Sequence, residues 1–156
     1  MSEDKKEQLD RELMEILNEL RVMATGVQML FGFLLAVAFS QRFGALSSVD
    51  RAVYYATLLS TAMASALLIA PAAHHRMLFR YNEKHHMILM ANRLAIAGVA
   101  FLGVSITGVV FVITDVLFGS AATTVVTILA AAVILGLWFV LPLTRRGDMR
   151  DFSLDS

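Results

Sequence analysis

Cysteine is absent from this chain of 156 residues, which excludes disulfides, thiolate metal ligands and cysteine nucleophiles. Proline is scarce: Pro71 and Pro142 are the only two, so little in the chain forbids long helices. Net charge is missing as well. The 13 basic residues balance the 13 acidic ones, which removes any bulk electrostatic attraction to nucleic acid, and no nucleic-acid partner is expected. Enzyme signatures are missing too: there is no phosphate loop, nucleophile elbow or zinc-protease helix, so neither an enzymatic activity nor a cofactor is expected.

Apolar sequence is what the chain has in excess. Hydrophobic residues make up 58% of it, more than a soluble domain of this size can bury. They concentrate in four runs, at residues 22–39, 52–73, 88–113 and 121–143. Each is near the roughly 20 residues that cross a hydrocarbon core as a helix. Lipid offers backbone groups no partners, so each run must be helical. The fold class expected is all-α: an integral membrane four-helix bundle over residues 22–144, preceded by an amphipathic helix at 1–21 and followed by a polar cytoplasmic tail at 145–156. The first twenty residues are acidic and interrupted by charge, unlike a cleavable signal peptide, and are expected to remain in the mature protein.

Basic residues are distributed unequally among the connections. Eleven lie in the N-terminal segment, in and just after the second connection, and in the tail, against two, Arg42 and Arg51, in the first connection and none in the third. By the positive-inside rule both termini and the second connection are cytoplasmic. The first partner expected is the lipid bilayer.

Ahead of the first span, Leu9, Leu13, Ile16, Leu17 and Leu20 recur at intervals of three and four, which places one apolar stripe on a helix. Its other face carries Glu7, Asp10, Glu12, Glu15 and Glu19. Acidic faces are not favoured on anionic lipid, so this helix either contacts a protein partner or lies solvated at the interface. In the second span, small residues recur every four at Ala56, Ser60 and Ala64 and again at Ala62, Ala66 and Ala70, which predicts the most enclosed helix. Gly98, Gly103 and Gly108 in the third span predict close packing.

Ionisable residues within a membrane are costly enough to be functional candidates. The middles of all four runs contain none. Asp115 closes the third run, and Asp50 and Arg51 open the second, all at positions expected to reach water. Three candidate sites remain. Gln28, Asn92, Arg93 and Glu19 form a cytoplasmic polar cluster, either a gate or solute vestibule or a clamp that fixes helix register. Ser40, Gln41, Arg42 and Asp115 mark an outer mouth, with headgroup anchoring as the alternative for Phe39 to Phe43. His74, His75, His85 and His86 bracket the second connection as a pH- or metal-responsive loop or as interfacial headgroup contacts. Adjacent histidines point to different helix faces, so at most one of each pair can face a shared site, and no tight metal site is expected.

The segments Arg11-Glu12-Leu13-Met14-Glu15, Asn18-Glu19-Leu20-Arg21, Gly26-Val27-Gln28 and Phe39-Ser40-Gln41-Arg42-Phe43, followed by Pro71, His74 to Arg76 and Asn92-Arg93, carry a resemblance over nearly the whole chain. The pattern resembles an uncharacterised family of small bacterial four-helix membrane proteins, some of which are labelled sodium:proton antiporters. The resemblance implies that label as a name, with no mechanism attached. From the residues, the expected function is a small transporter or channel for ions or small solutes, working as a homo-oligomer, because four apolar helices enclose little space alone. The alternative is a non-transporting accessory subunit that binds a partner through its acidic N-terminal helix.

Overall fold

A computed structural model of the chain describes residues 3–78, 84–142 and 144. Helix α1 runs over Glu3–Ala38, α2 over Ser48–Leu78, α3 over Lys84–Phe118 and α4 over Ser120–Leu135. A short 3-10 turn at Gln41–Ala45 joins α1 to α2, and a π-helical turn at Gly136–Val140 prolongs α4. α1, α2, α3 and α4 together with its π turn are each long and apolar enough to cross a membrane, and the chain is an all-α membrane protein. The segments at 79–83 and 145–156 lie outside the described residues.

The helices outrun the apolar segments that announce them. With 36 residues, α1 passes through the 21/22 boundary without interruption. At about 1.5 Å per residue it spans roughly 54 Å, against about 30 Å of hydrocarbon. Its N-terminal turns therefore extend beyond the core of the bilayer. There Leu13 and Leu20 are buried and Ile16 and Leu17 half-buried, while Glu7, Glu12, Glu15 and Glu19 are exposed. The apolar stripe of α1 is thus used inside the chain, and its acidic face is left free.

Successive helices run antiparallel, as the contacts between them show. The Tyr54 hydroxyl donates to the Leu34 carbonyl, Gly98 faces Leu68, Gly108 faces Thr57, Gly103 faces Ile134, and the Thr123 hydroxyl reaches Asp115. α2 is the most enclosed span and α4 the least. The enclosed face of α2 is not either row of small residues, since Ala56 and Ala66 are exposed. It is the seam Asp50, Tyr54, Thr57, Thr61, Ala64, Leu68 and Pro71, spaced alternately by four and three. That 3.5-residue repeat is the one that keeps a helix edge on its neighbours in left-handed packing. Leu13, Leu20, Ala24, Val27 and Leu34 keep the same register on α1. The core forms where Leu20, Ala24, Val27, Ala64 and Leu68 meet, with Ile16, Met23, Ala95 and Leu102 packed against them.

Four hydroxyls on α2 and α3 bond back to carbonyls of their own helices. Thr57 donates to the Val53 carbonyl, Thr61 to Thr57, Ser105 to Phe101 and Thr107 to Gly103, at 2.7 to 2.9 Å. A hydroxyl bonded back in this way behaves as a small, nearly apolar group toward the next helix. Pro71 is buried inside α2, which continues to Leu78 despite the lost backbone donor. Pro142, which also lacks an N–H, follows the π turn, where the Leu141 N–H reaches back to the Gly136 carbonyl.

The connection between α3 and α4 is one residue, Gly119, with φ 82° and ψ 178°. Side chains are excluded from that region of backbone space. A methyl group at Gly119 would meet nothing within 4 Å, so any penalty comes from the backbone alone. Gly119→Ala is expected to destabilise the protein by about 1–3 kcal/mol. Thermal unfolding in detergent would measure this, and an unchanged midpoint would show that the turn has another conformation.

Candidate functional site

The end of the bundle where α1 meets α2 and α3 meets α4 holds a cavity of about 830 Å³. Ser40, Ser47, Asp50 and Asp115 line it together with apolar residues that include Val37, Phe43 and Val112. Local sequence places each polar group. Ser47 and Asp50 have the S-x-x-D spacing of a helix start. The Asp50 N–H donates to Ser47 Oγ at 3.1 Å, and Ser47 Oγ donates to Asp50 Oδ2 at 2.7 Å. This pair fixes the first turn of α2 and orients the carboxyl group.

Asp50 is the first residue of the buried α2 seam and only 4% exposed. Its expected access to water is therefore corrected: the register that turns Tyr54 and Thr57 inward turns Asp50 inward too. Oδ1 of Asp50 is buried and has no hydrogen-bond partner among the described residues. The neighbouring Arg51 does not supply one. Its guanidinium turns back onto the 3-10 turn, donating from Nε and Nη2 to the Leu46 carbonyl at 3.1 and 3.0 Å and from Nη2 to the Gly44 carbonyl at 3.4 Å.

Across the cavity, Asp115 is half-buried in the last turn of α3. Thr123, on the first turn of α4, sits beyond the Gly119 turn with its hydroxyl 2.9 Å from Asp115 Oδ1 and 2.7 Å from the Gly119 carbonyl. The single hydroxyl proton is within reach of both the carboxylate and the turn carbonyl. The wall between α1 and α2 is held by Tyr54, whose ring meets Phe43 edge to face at a centroid distance of 5.0 Å and whose hydroxyl donates to the Leu34 carbonyl.

Of the expected outer mouth, Ser40 and Asp115 share this cavity, Gln41 is exposed and does not line it, and the Arg42 side chain lies outside the described residues. The cytoplasmic cluster is not brought together. Gln28 lines a groove of about 620 Å³ between α1 and α2 with Asn18, Arg21 and Thr25, whereas Asn92 and Arg93 are exposed on α3 and do not line it. No hydrogen bond joins Gln28 to Asn92 among the described residues, and Glu19 is exposed. Of the histidines, His74 is exposed, with Nδ1 3.0 Å from the Ala70 carbonyl to which it donates. The side chains of His75, His85 and His86 lie outside the described residues.

A third cavity, of about 680 Å³, lies among α2, α3 and α4. It is lined by Ala56, Ala100, Gly103, Gly108 and Ala131 among other residues, and small side chains on its wall leave it open. Asp50 and Asp115 thus line one cavity, whereas no Asp or Glu lines the Gln28 groove or the cavity among α2, α3 and α4. Sequence reasoning missed Asp50, although the S-x-x-D start and the intervals of four and three from Asp50 to Tyr54 and Thr57 carry the signal.

A family model matches residues 2–142, and its description is a family of unknown function, DUF6328. The chain belongs to this family. No curated protein and no solved structure matches it. The family match runs through all four spans and takes in every residue of the Asp50 cavity, so the cavity lies within the part of the chain that defines membership.

Proposed function

We propose that the protein is a small-solute transporter or channel that works as a homo-oligomer, with both termini cytoplasmic and the Asp50 cavity opening to the outer side of a bacterial plasma membrane. One observation carries the reading: a carboxyl group is held 4% exposed at the end of a membrane span, with one oxygen that has no partner among the described residues, and a second carboxyl-bearing residue lines the same cavity. Burying an ionisable group in this way costs stability, and such groups in spans mark solute and ion pathways. The start of α2 accounts for Oδ2 of Asp50, which accepts from Ser47, and leaves Oδ1 without a structural use among the described residues.

The seams between the helices are filled by side chains that include Leu20, Val27, Thr61 and Leu68. A path between protomers fits a span as open as α4. The orientation rests on the eleven-to-two distribution of basic residues.

Efflux of rubidium, chloride and methylammonium from sealed vesicles that contain the purified protein tests the reading. At least one is expected to leave down its gradient in a protein-dependent way, and Asp50→Asn should slow it by about tenfold, the scale of one charge-assisted hydrogen bond. Sodium is not expected to exchange for protons against a gradient, because the middles of the spans hold no ionisable group that could relay a proton. Absence of all flux from correctly oriented, oligomeric protein would favour the accessory-subunit reading. That reading draws on the exposed Glu7, Glu12, Glu15 and Glu19 of α1, an acidic face available to a basic protein partner.

A further inference from the structure

The geometry points to a chemical class of ligand for the Asp50 cavity: primary organic ammonium ions that carry an apolar body. This inference rests on the reading of that cavity as a place of solute entry and gives the solute its chemistry. Charge is the first argument. Asp50 and Asp115 line the cavity, and Arg51, the nearest cation in sequence, turns Nε and Nη2 onto the Leu46 and Gly44 carbonyls. Asp50 Oδ1 is a buried acceptor that no described residue satisfies, and among the described residues Asp115 meets a side-chain donor, Thr123, at Oδ1. An unsatisfied buried acceptor selects for a ligand with N–H or O–H donors.

Size and lining are the second argument. A bare divalent cation is held by a close cage of several oxygens. Among the described residues no group of three or more His, Cys, Asp or Glu side chains could form one. The cavity is instead about 830 Å³, with Val37, Phe43, Leu46, Val112, Ile113 and Val116 on its walls. That volume falls within the roughly 300–1,000 Å³ of small-molecule sites, in which apolar walls carry a few polar groups that fix orientation.

An alkyl- or arylammonium ion matches both halves. Its head presents three donors and no acceptor, as a lysine ammonium does, and so suits a cavity lined by two carboxyl-bearing residues, one of which keeps an unsatisfied acceptor just behind the wall. Its body replaces water against the apolar wall, where the Phe43 ring adds an aromatic surface of the kind that attracts cations.

The test is calorimetric titration of phenethylammonium into the full-length protein in detergent micelles. Saturable binding is expected. The trimethylated analogue has the charge but no N–H, and phenethyl alcohol has a donor but no charge. Each should bind at least about tenfold more weakly, the scale of losing one charge-assisted hydrogen bond. Asp50→Asn should weaken phenethylammonium by a similar factor. Because Asp50 also pairs with Ser47 at the start of α2, the three-ligand series on the unaltered protein decides the matter even if that variant folds poorly.

No saturable binding of phenethylammonium would overturn the inference, as would equal affinity for the trimethylated ion. Sodium chloride that displaces the amine at equal or lower concentration than the amine itself requires would also overturn it, in favour of a metal-ion site. Amine binding without vesicle flux would sink the transport reading alone, whereas flux of rubidium or chloride without amine binding would sink the ligand class alone.

Discussion

Replacing Gly108 with alanine is expected to destabilise the protein more than any other glycine-to-alanine change in its helices. A β-carbon built there would lie 2.0 Å from Thr57 Oγ1, 3.1 Å from Thr57 Cβ and 3.3 Å from Thr57 Cγ2. Thr57 cannot yield easily, because its χ1 is set by branching at Cβ and its hydroxyl is bonded to the Val53 carbonyl at 2.7 Å. α2 and α3 must therefore separate, at a cost of about 1–3 kcal/mol for overpacking a well-filled contact.

Gly98 makes an informative contrast. Its added carbon would meet Leu68 Cδ2 and Cγ at 2.8 Å, and these belong to a side chain that can rotate, so Gly98→Ala should cost less. At Gly26 and Gly32 there is nothing within 4 Å, and alanine should be neutral or stabilising by up to about 1 kcal/mol from helix propensity alone. Thermal unfolding in detergent would rank the four. Thr57→Ala should partly rescue Gly108→Ala, since it removes two of the three clashing atoms, and the shortfall from additivity would measure the contact. If Gly108→Ala unfolds no earlier than Gly26→Ala, α2 and α3 do not approach as closely as described.

This contact also shows where sequence reasoning reaches its limit in a membrane protein. Four spans were legible because about twenty consecutive apolar residues have few other uses. Their ends were not. α1 begins at Glu3 and α3 at Lys84, in charged sequence that remains helical after it leaves the lipid and gives no hydropathy signal there. The third connection, expected to occupy several residues, shrinks to Gly119, because Thr114 to Phe118 stay in α3 and Thr123 is already in α4.

The inward faces were hidden for a different reason. Against lipid a buried residue need be no more apolar than an exposed one, so hydrophobic periodicity fades. Phe33, Val104 and Leu129 face outward while Thr57, Thr61 and Ser105 face inward. Small residues hinted at close approach, and at Gly98 and Gly108 the hint identified the contact, whereas Ala56 and Ala66 misled. Asp50 was misjudged because a charge at the end of a span suggests water, when the heptad register it begins decides the matter.

Single-cysteine labelling is expected to give an all-or-none result, because a chain without cysteine has no background reaction with an impermeant thiol reagent. Gly44 lies in the turn between α1 and α2, and a β-carbon there meets nothing within 4 Å, so Gly44→Cys adds a thiol in open space. Glu12 is exposed near the opposite end of α1. In intact cells Gly44→Cys should react fully, while Glu12→Cys should react only after the membrane is broken. Two independent features agree on this side. The antiparallel contacts put the Gly44 turn and the Gly119 turn at one end of the bundle, and those two connections hold two basic residues against eleven elsewhere. The same end carries Ser40, Ser47, Asp50 and Asp115. Labelling at Gly44 therefore also reports which side of the membrane can deliver a cation to the cavity. Reaction of Glu12→Cys in intact cells, with Gly44→Cys protected, would reverse the protein and turn the carboxyl groups toward the cytoplasm, so that the cavity would receive its ligand from inside the cell.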